Sequence, residues 1–106
     1  MKQLKFAEPL SKLVLGGQKD ITWRIDDEKN ITVGDQLSLC YNDGREFAKA
    51  EVNWVKETIF GNMTKEDKEG HEKFSSDEEM YQTYSGYYSM KVEPKTRVKI
   101  IKFRLL

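Results

Sequence analysis

One short segment of the chain brings together side chains that could do chemistry. From position 17 it reads Gly-Gln-Lys-Asp-Ile-Thr-Trp-Arg. Ile21 and Trp23 alternate with polar residues, the period-two pattern of a half-buried strand, so both should face the core. Thr22 and Arg24 should then project from the opposite face, where Lys19, just before the strand, can reach the same space.

This cluster suits nucleophilic chemistry on a polar substrate. A cation beside a hydroxyl lowers the free energy of forming an alkoxide, and burial beside a second cation lowers the pKa of an ammonium group toward that of a useful base. Short motifs also recur by chance, and on spacing alone an ordinary polar strand face in contact with water is the commoner explanation.

Several short elements must position the cluster. Strands are predicted at Lys2–Phe6, from Ile21 to Ile25, and at Gln36–Tyr41, Phe47–Val55 and Arg97–Leu105. In the fourth of these, the alternation predicts one shared face for Ala48, Ala50, Val52 and Trp54. Helices are predicted from Glu8-Pro9 to Gly16-Gly17, from Thr64 to Gly70, and from the Ser76 N-cap to about Gly86. The last strand is apolar on both faces, as expected of a central strand. The predicted fold is α+β, a small mixed β-barrel with short helices packed outside.

Length and composition predict one domain spanning residues 1–106. The 106 residues are 38% hydrophobic, with only two prolines and no linker-like segment. Cys40 is the single cysteine, which excludes an intramolecular disulfide and a cysteine-based metal cluster. No stretch approaches the ~20 apolar residues of a membrane span. We therefore expect a cytoplasmic protein with no metal, no cofactor and no membrane attachment.

Charge is balanced overall but unevenly distributed. Eighteen basic and eighteen acidic residues cancel, which argues against tight, sequence-independent nucleic-acid binding. Between residues 64 and 79 there are three lysines and seven carboxylates, whereas residues 89–106 carry six Lys/Arg and one Glu. Two solvated faces are the simpler interpretation, and an RNA-backbone contact along the basic strand is the alternative.

The segment from Gly17 also resembles the signature of the ASCH domain family, within the PUA-like superfamily. That signature is a Gly-x-Lys-x-x-Glu/Thr-x-Arg pattern at a helix-to-strand junction. The turn Val33-Gly34-Asp35, the acidic region Thr64–Tyr84 and the C-terminal strand look like the corresponding parts of the family. Threonine at position 22 is similar to the variant found in the small bacterial N4-acetylcytidine amidohydrolases.

This resemblance implies hydrolysis of the acetyl amide on N4 of cytidine. Thr22 would be the nucleophile and Lys19 its activating base, while Arg24 would orient the nucleobase or polarise the carbonyl. A glutamate from the later acidic segment would complete the triad. Glu72 is favoured because it precedes the start of the following helix in the same order as in the family. Glu69 is the alternative.

Other residues receive supporting roles in this interpretation. The backbone amides around Gly17 are candidate donors to the substrate oxyanion. Tyr87, with Tyr88, could stack on a base at the pocket rim, although aromatic residues most often pack in cores. His71 is the only histidine, so no Ser-His-Asp triad and no histidine-rich metal site is expected. Its polar neighbours predict an exposed loop histidine.

The partner is therefore expected to be a small-molecule nucleoside or single-stranded RNA. A non-catalytic RNA-binding module that uses the same cleft is the alternative, because related folds serve several functions. A ribonuclease, with Lys19, Arg24 and Glu72 around a phosphate, is the third interpretation. The sequence does not give the oligomeric state, and it does not distinguish a free nucleoside from RNA.

Overall fold

A computed structural model describes all 106 residues, arranged as one five-stranded sheet with three short α-helices. The elements are β1 (Lys2–Phe6), α1 (Glu8–Leu15), β2 (Ile21–Arg24), β3 (Gln36–Tyr41), β4 (Glu46–Ile59), α2 (Lys65–Lys68), α3 (Asp77–Tyr88) and β5 (Arg97–Leu105). The strand order is β1-β3-β4-β5-β2, in which only β1 and β3 are parallel. This mixed half-barrel confirms the predicted α+β class. No helix has the length and apolar character needed to cross a membrane.

The sheet is covered on both faces, and β5 contributes to both. Ile101 and Phe103 belong to a cluster with Val14 of α1, whereas Val98 and Ile100 belong to a second cluster that packs under α3. The alternation along β5 follows from the period of two in a strand. The prediction of a last strand apolar on both sides is thereby confirmed.

The two edge strands, β1 and β2, face each other across a seam that side chains bridge instead of a backbone ladder. Arg24 donates from Nη2 to the Lys5 carbonyl at 3.1 Å. Lys29 donates to the Gln3 carbonyl on the same edge of β1. On the β2 side, Lys19 Nζ donates to the Ile21 carbonyl at 2.8 Å. Side chains thus bridge the seam and occupy three backbone carbonyls along it.

The course of β4 differs from the simple alternation predicted for it. Val52 pairs with Phe103, but Trp54 pairs with Lys102, so Asn53 is an extra residue in β4. Such a bulge reverses the side-chain alternation beyond it. Trp54, which we expected in register with Val52, is 38% exposed.

Helix α3 is longer than predicted at its C-terminus. It continues through Gly86 to Tyr88 and ends where Ser89 takes a left-handed conformation with φ 52°. A glycine inside a helix costs about 1 kcal/mol, and the aromatic packing of Tyr84 and Tyr88 offsets that cost. Ser76 is the N-cap as predicted, because its side chain accepts from the amide of residue 79.

Candidate active site

A cleft of about 400 Å³ opens at the seam between β1 and β2. Its wall includes most of the residues proposed from the sequence, namely Lys19, Thr22, Arg24, Glu72 and Tyr87. They come from the residue pair before β2 and from β2 itself, from the loop between α2 and α3, and from α3. A cleft of this size is within the range of about 300–1,000 Å³ typical of small-molecule sites.

Lys19 is a buried cation with two hydrogen-bond partners. Its side chain is 2% exposed, and Nζ donates to Glu72 Oε2 at 2.6 Å and to the Ile21 carbonyl at 2.8 Å. Burial lowers the pKa of Lys19, and the charge of Arg24 adds to this effect, whereas Glu72 acts in the opposite direction. The amine is therefore easier to deprotonate than an exposed lysine, while a carboxylate still stabilises its protonated form.

Glu72 reaches Lys19 because the loop that carries it is fastened to the start of β2. The Asp20 amide donates to the Gly70 carbonyl at 3.1 Å. Gly70 has φ +85°, a left-handed conformation that favours glycine, and a Cβ there would lie 2.0 Å from Asp20 Oδ1, so the Asp20 side chain would have to move. Glu69, by contrast, is exposed and lines a separate groove beside α2. Of the two glutamates considered, Glu72 is the one that meets Lys19.

Thr22 lies beside this pair and is held by Arg24. It is 4% exposed, and its Oγ1 accepts from Arg24 Nε at 3.1 Å. The guanidinium also lies 5.0 Å from the centre of the Phe6 ring, and burial lowers its pKa from the usual value. No hydrogen bond joins Lys19 Nζ to Thr22 Oγ1. The hydroxyl thus accepts from a cationic donor that would stabilise an alkoxide, while its own proton remains to be given away.

The polar face predicted for Thr22, with Lys19 beside it, is buried and not in open contact with water. Ile21 and Trp23 are 0% and 2% exposed and belong to the cluster under α3, as predicted. Thr22 and Lys19 are nearly as buried, and the loop after α2 places the Glu72 carboxylate against Lys19. Substitution of either is therefore expected to affect stability as well as chemistry.

Three tyrosines of α3 line the cleft. Tyr84 is 4% exposed and packs in the core, and its pKa is raised well above the ordinary value by burial. Tyr88 accepts a hydrogen bond from the Ile25 amide at 3.1 Å, which ties α3 to the end of β2. Tyr87 is 57% exposed and meets Tyr84 edge to face at 5.4 Å. Its ring is the one available to a ligand at the rim.

The prediction of an exposed His71 is wrong. The side chain is buried, and its ring is stacked on Trp23 with a centroid distance of 3.6 Å. Nδ1 lies 2.8 Å from the Glu72 carbonyl oxygen, and Nε2 lies 2.9 Å from the Tyr84 hydroxyl. Burial, with the charge of Lys19, lowers the pKa of His71 to about 3. The one sequence signal was its position next to Glu72.

Gly17 does not line the cleft. Its amide donates to the Val14 carbonyl at 3.1 Å, and the Gly16 amide donates to the Lys12 carbonyl at 2.9 Å. Both amides thus terminate α1, which is the usual role of glycine after a helix. They are not free to hold an oxyanion, so the role assigned to them from the sequence has no support in this geometry.

No cluster of three or more His, Cys, Asp or Glu side chains is arranged to hold a metal ion. The basic C-terminal strand is also partly neutralised. Lys99 pairs with Asp27 at 2.8 Å in a buried position, and Arg104 pairs with Glu51. Fewer free cations than the sequence suggests are therefore available along this strand for a phosphate backbone.

No protein-family model matches the sequence, and no curated protein matches it. Solved structures do match. An ASCH domain from Lactobacillus crispatus JV V101 aligns with a TM-score of 0.67 and 14% identity, over 90% of this chain and 69% of that one. ASCH from Zymomonas mobilis gives a TM-score of 0.64 and 11% identity, over 96% and 65%. The hypothetical protein PH0355 gives 0.76 and 28% identity over the full length of both chains. The chain therefore has the fold of the ASCH domains, as the resemblance in its sequence predicted.

Proposed function

We propose that this protein hydrolyses the acetyl amide of N4-acetylcytidine, or of a related modified nucleoside, in the cleft between β1 and β2. The observation that carries the proposal is the buried Lys19–Glu72 pair, 2.6 Å apart, beside Thr22. A buried ion pair is often no more stabilising than apolar residues of the same volume. Its presence on a cleft wall favours a chemical role, since perturbed titratable groups concentrate at functional sites.

Thr22 is the nucleophile in the proposed reaction. Its Oγ1 attacks the acetyl carbonyl carbon while neutral Lys19 takes the hydroxyl proton, and Arg24 Nε, already 3.1 Å from Oγ1, stabilises the charge that develops there. The tetrahedral intermediate then loses its bond to N4, and protonated Lys19 gives a proton to the departing amine. Water, deprotonated by Lys19, then attacks the acetyl ester on Thr22; the bond from the acetyl carbon to Oγ1 breaks, Oγ1 takes the proton from Lys19, and acetate is released.

The pKa of Lys19 suits both of these proton transfers. Burial lowers it, which favours the neutral amine needed before attack, and Glu72 stabilises the ammonium that forms afterwards. Lys19 and Thr22 share no hydrogen bond in the ligand-free site. Catalytic hydrogen bonds are often long before substrate binds, and the Thr22 proton is not engaged by Arg24, which can only donate.

The rim supplies a surface for the base. Tyr87 presents a largely exposed ring next to buried Tyr84, and stacking of a base on such a ring is worth about 1–3 kcal/mol. Arg24 then orients the base or the acetyl oxygen. We propose further that residues 1–106 form a single domain acting on its substrate in the cytoplasm.

A non-catalytic module for single-stranded RNA is the second candidate. The exposed Tyr87 ring and the exposed Lys5 at the cleft favour it, because such modules combine stacking with cations. The pairing of Lys99 and Arg104 with carboxylates argues against a long backbone contact.

The test is to incubate the purified chain with N4-acetylcytidine and to follow the release of cytidine and acetate. Thr22→Val keeps the shape of the side chain and removes the nucleophile, so turnover should fall at least about a hundredfold. Thr58→Val is the matched control, since Thr58 lies in β4 and does not line the cleft. No release by the native chain, or equal turnover by the Thr22 variant, would contradict the proposal. Binding of cytidine that depends on Tyr87, without hydrolysis, would favour the RNA-binding module.

A further inference from the structure

His71 occupies the space between β2, the loop that carries Glu72, and α3. One face of its ring stacks on Trp23, with an interplanar angle of 12°. Both ring nitrogens have partners, and the side chain is fully buried. Any flat apolar ring could fill this space, so the use of both nitrogens needs its own explanation.

The partners determine the tautomer. Nδ1 lies 2.8 Å from the Glu72 carbonyl oxygen, which can only accept, so Nδ1 must carry the proton. Nε2 of a neutral ring is then an acceptor, and the Tyr84 hydroxyl donates to it at 2.9 Å. Burial of the ring disfavours a second proton, so the imidazole is uncharged and Nε2 accepts. Lys19 and Arg24 nearby also disfavour a second proton.

The Nδ1–H group of His71 faces both the backbone carbonyl and the side-chain carboxylate of Glu72. Besides the backbone carbonyl, it lies 3.3 Å from Glu72 Oε2, the oxygen that receives the hydrogen bond from Lys19. A neutral histidine can orient the Glu72 carboxylate by hydrogen bonding. Because it carries no charge, it does not compete with the Lys19 ammonium for the ion pair. Tyr84 of α3 in turn holds the His71 ring through its hydroxyl group. Tyr84 is otherwise buried in the core.

We infer that His71 and Tyr84 are positioning residues, which hold the backbone and the carboxylate of Glu72 in the orientation that meets Lys19. The effect on turnover rests on the proposed function, but the effect on the Lys19–Glu72 pair does not. Neither residue supplies a proton to the substrate. Their contribution is to keep the carboxylate in one place while Lys19 gains and loses its proton.

The inference predicts effects on Lys19 that packing alone would not produce. Tyr84→Phe removes only the hydroxyl, and Tyr81→Phe is the control from the same helix, because the Tyr81 hydroxyl makes no hydrogen bond within the chain. His71→Asn keeps a donor near the Nδ1 position, whereas His71→Leu keeps only the bulk. The pKa of Lys19, followed by NMR of its side chain, should fall below that of the native chain most in His71→Leu and least in His71→Asn. Tyr81→Phe should leave it unchanged.

Hydrolysis of N4-acetylcytidine gives the second measurement. His71→Leu and Tyr84→Phe should lower kcat between about tenfold and a hundredfold, a part of the general acid-base contribution. His71→Asn should recover much of the loss, and KM in the His71 variants should change little because His71 does not line the cleft.

The outcomes separate the two proposals. If the native chain releases no cytidine but the Lys19 titration responds to His71→Leu, the proposed function fails and the positioning role stands. If hydrolysis occurs and His71→Leu matches the native chain in both kcat and the Lys19 titration, the positioning role is overturned. The ring nitrogen shifts of native His71 add a test that needs no variant. A neutral ring with its proton on Nδ1 supports the inference, and a proton on Nε2 or a charged ring near neutral pH contradicts it.

Discussion

Replacement of Glu72 by glutamine removes one charge from the buried pair and keeps the shape of the side chain. Lys19 is 2% exposed and Glu72 is 17% exposed, so the ammonium that remains has little access to water. Loss of one partner from a buried ion pair costs about 3–5 kcal/mol. We expect about 3 kcal/mol, the lower end of that range, because the Ile21 carbonyl still accepts from Lys19 and residue 72 is partly hydrated.

The loss of stability in Glu72→Gln should depend on pH, and its direction follows from the pKa of Lys19. The pKa of Lys19 in the folded chain is already below its ordinary value, and the variant lowers it further because the stabilising carboxylate is gone. Between the folded pKa and about 10.4 the unfolded state binds more protons, so stability rises with pH. In Glu72→Gln this rise should span a wider pH interval. The deficit relative to the native chain is therefore largest near neutral pH and shrinks toward pH 10.

Urea unfolding at several pH values from 6 to 10 measures this difference. At pH 7 a deficit of about 3 kcal/mol corresponds to a melting temperature lower by about 12–24 °C for a chain of this size. Glu69→Gln is the matched control, because Glu69 is exposed and has no contact with Lys19. A Glu72→Gln chain as stable as the native one at pH 7, with the same pH dependence, would refute the view that this pair holds a charged, desolvated lysine.

Three further predictions follow from other contacts. Thr22→Ser should retain hydrolysis of N4-acetylcytidine within about tenfold, since it keeps the hydroxyl, and a loss as large as that of Thr22→Val would contradict the nucleophile assignment. Asp27→Asn should lower the free energy of unfolding at pH 7 by about 3 kcal/mol, because it removes one partner of a buried ion pair. Burial raises the pKa of Asp27, but the hydrogen bonds from Lys99 and from the amide of residue 31 outweigh it and keep this pKa low. This stabilisation is present above about pH 3.9 and is lost as the pH falls through the lower folded pKa, which urea unfolding across pH 2–7 measures. Ser76→Ala removes the N-cap of α3 and should cost about 1 kcal/mol, and an unchanged urea midpoint would show that the cap contributes nothing.

Much of the site could be predicted because it depends on local pattern. The period of two in β2 determines which side chains share a face, and that was enough to group Thr22 with Arg24. Glu72 was chosen from its order relative to the next helix. In the structure its Oε2 lies 2.6 Å from Lys19 Nζ. The catalytic roles themselves stay predictions, because a likeness of fold does not test them.

The misses have a different origin. His71 has polar neighbours along the chain, and what buries it is Trp23 and Tyr84, which lie 48 and 13 positions away in the sequence. No local pattern contains those contacts. Trp54 was misplaced because one inserted residue, Asn53, reverses the alternation beyond it, and a bulge leaves little trace in hydropathy. Gly17 was given a chemical role where its conformation serves only to end a helix.

The side chains that bridge the seam also hinder edge-to-edge strand pairing between two copies of the protein. An unpaired strand edge presents carbonyl and amide groups on which a strand of another molecule can add, which is a common start of aggregation. Here the free edge of β1 has two carbonyls already occupied by Lys29 and Arg24, and β2 has one occupied by Lys19. All three are cationic, so a second chain approaching this edge would have to displace a charged group for each backbone hydrogen bond it gained. The cationic groups of Arg24 and Lys19 therefore hinder strand addition and also line the cleft. Variants that remove them should be checked for self-association before a loss of activity is assigned to chemistry.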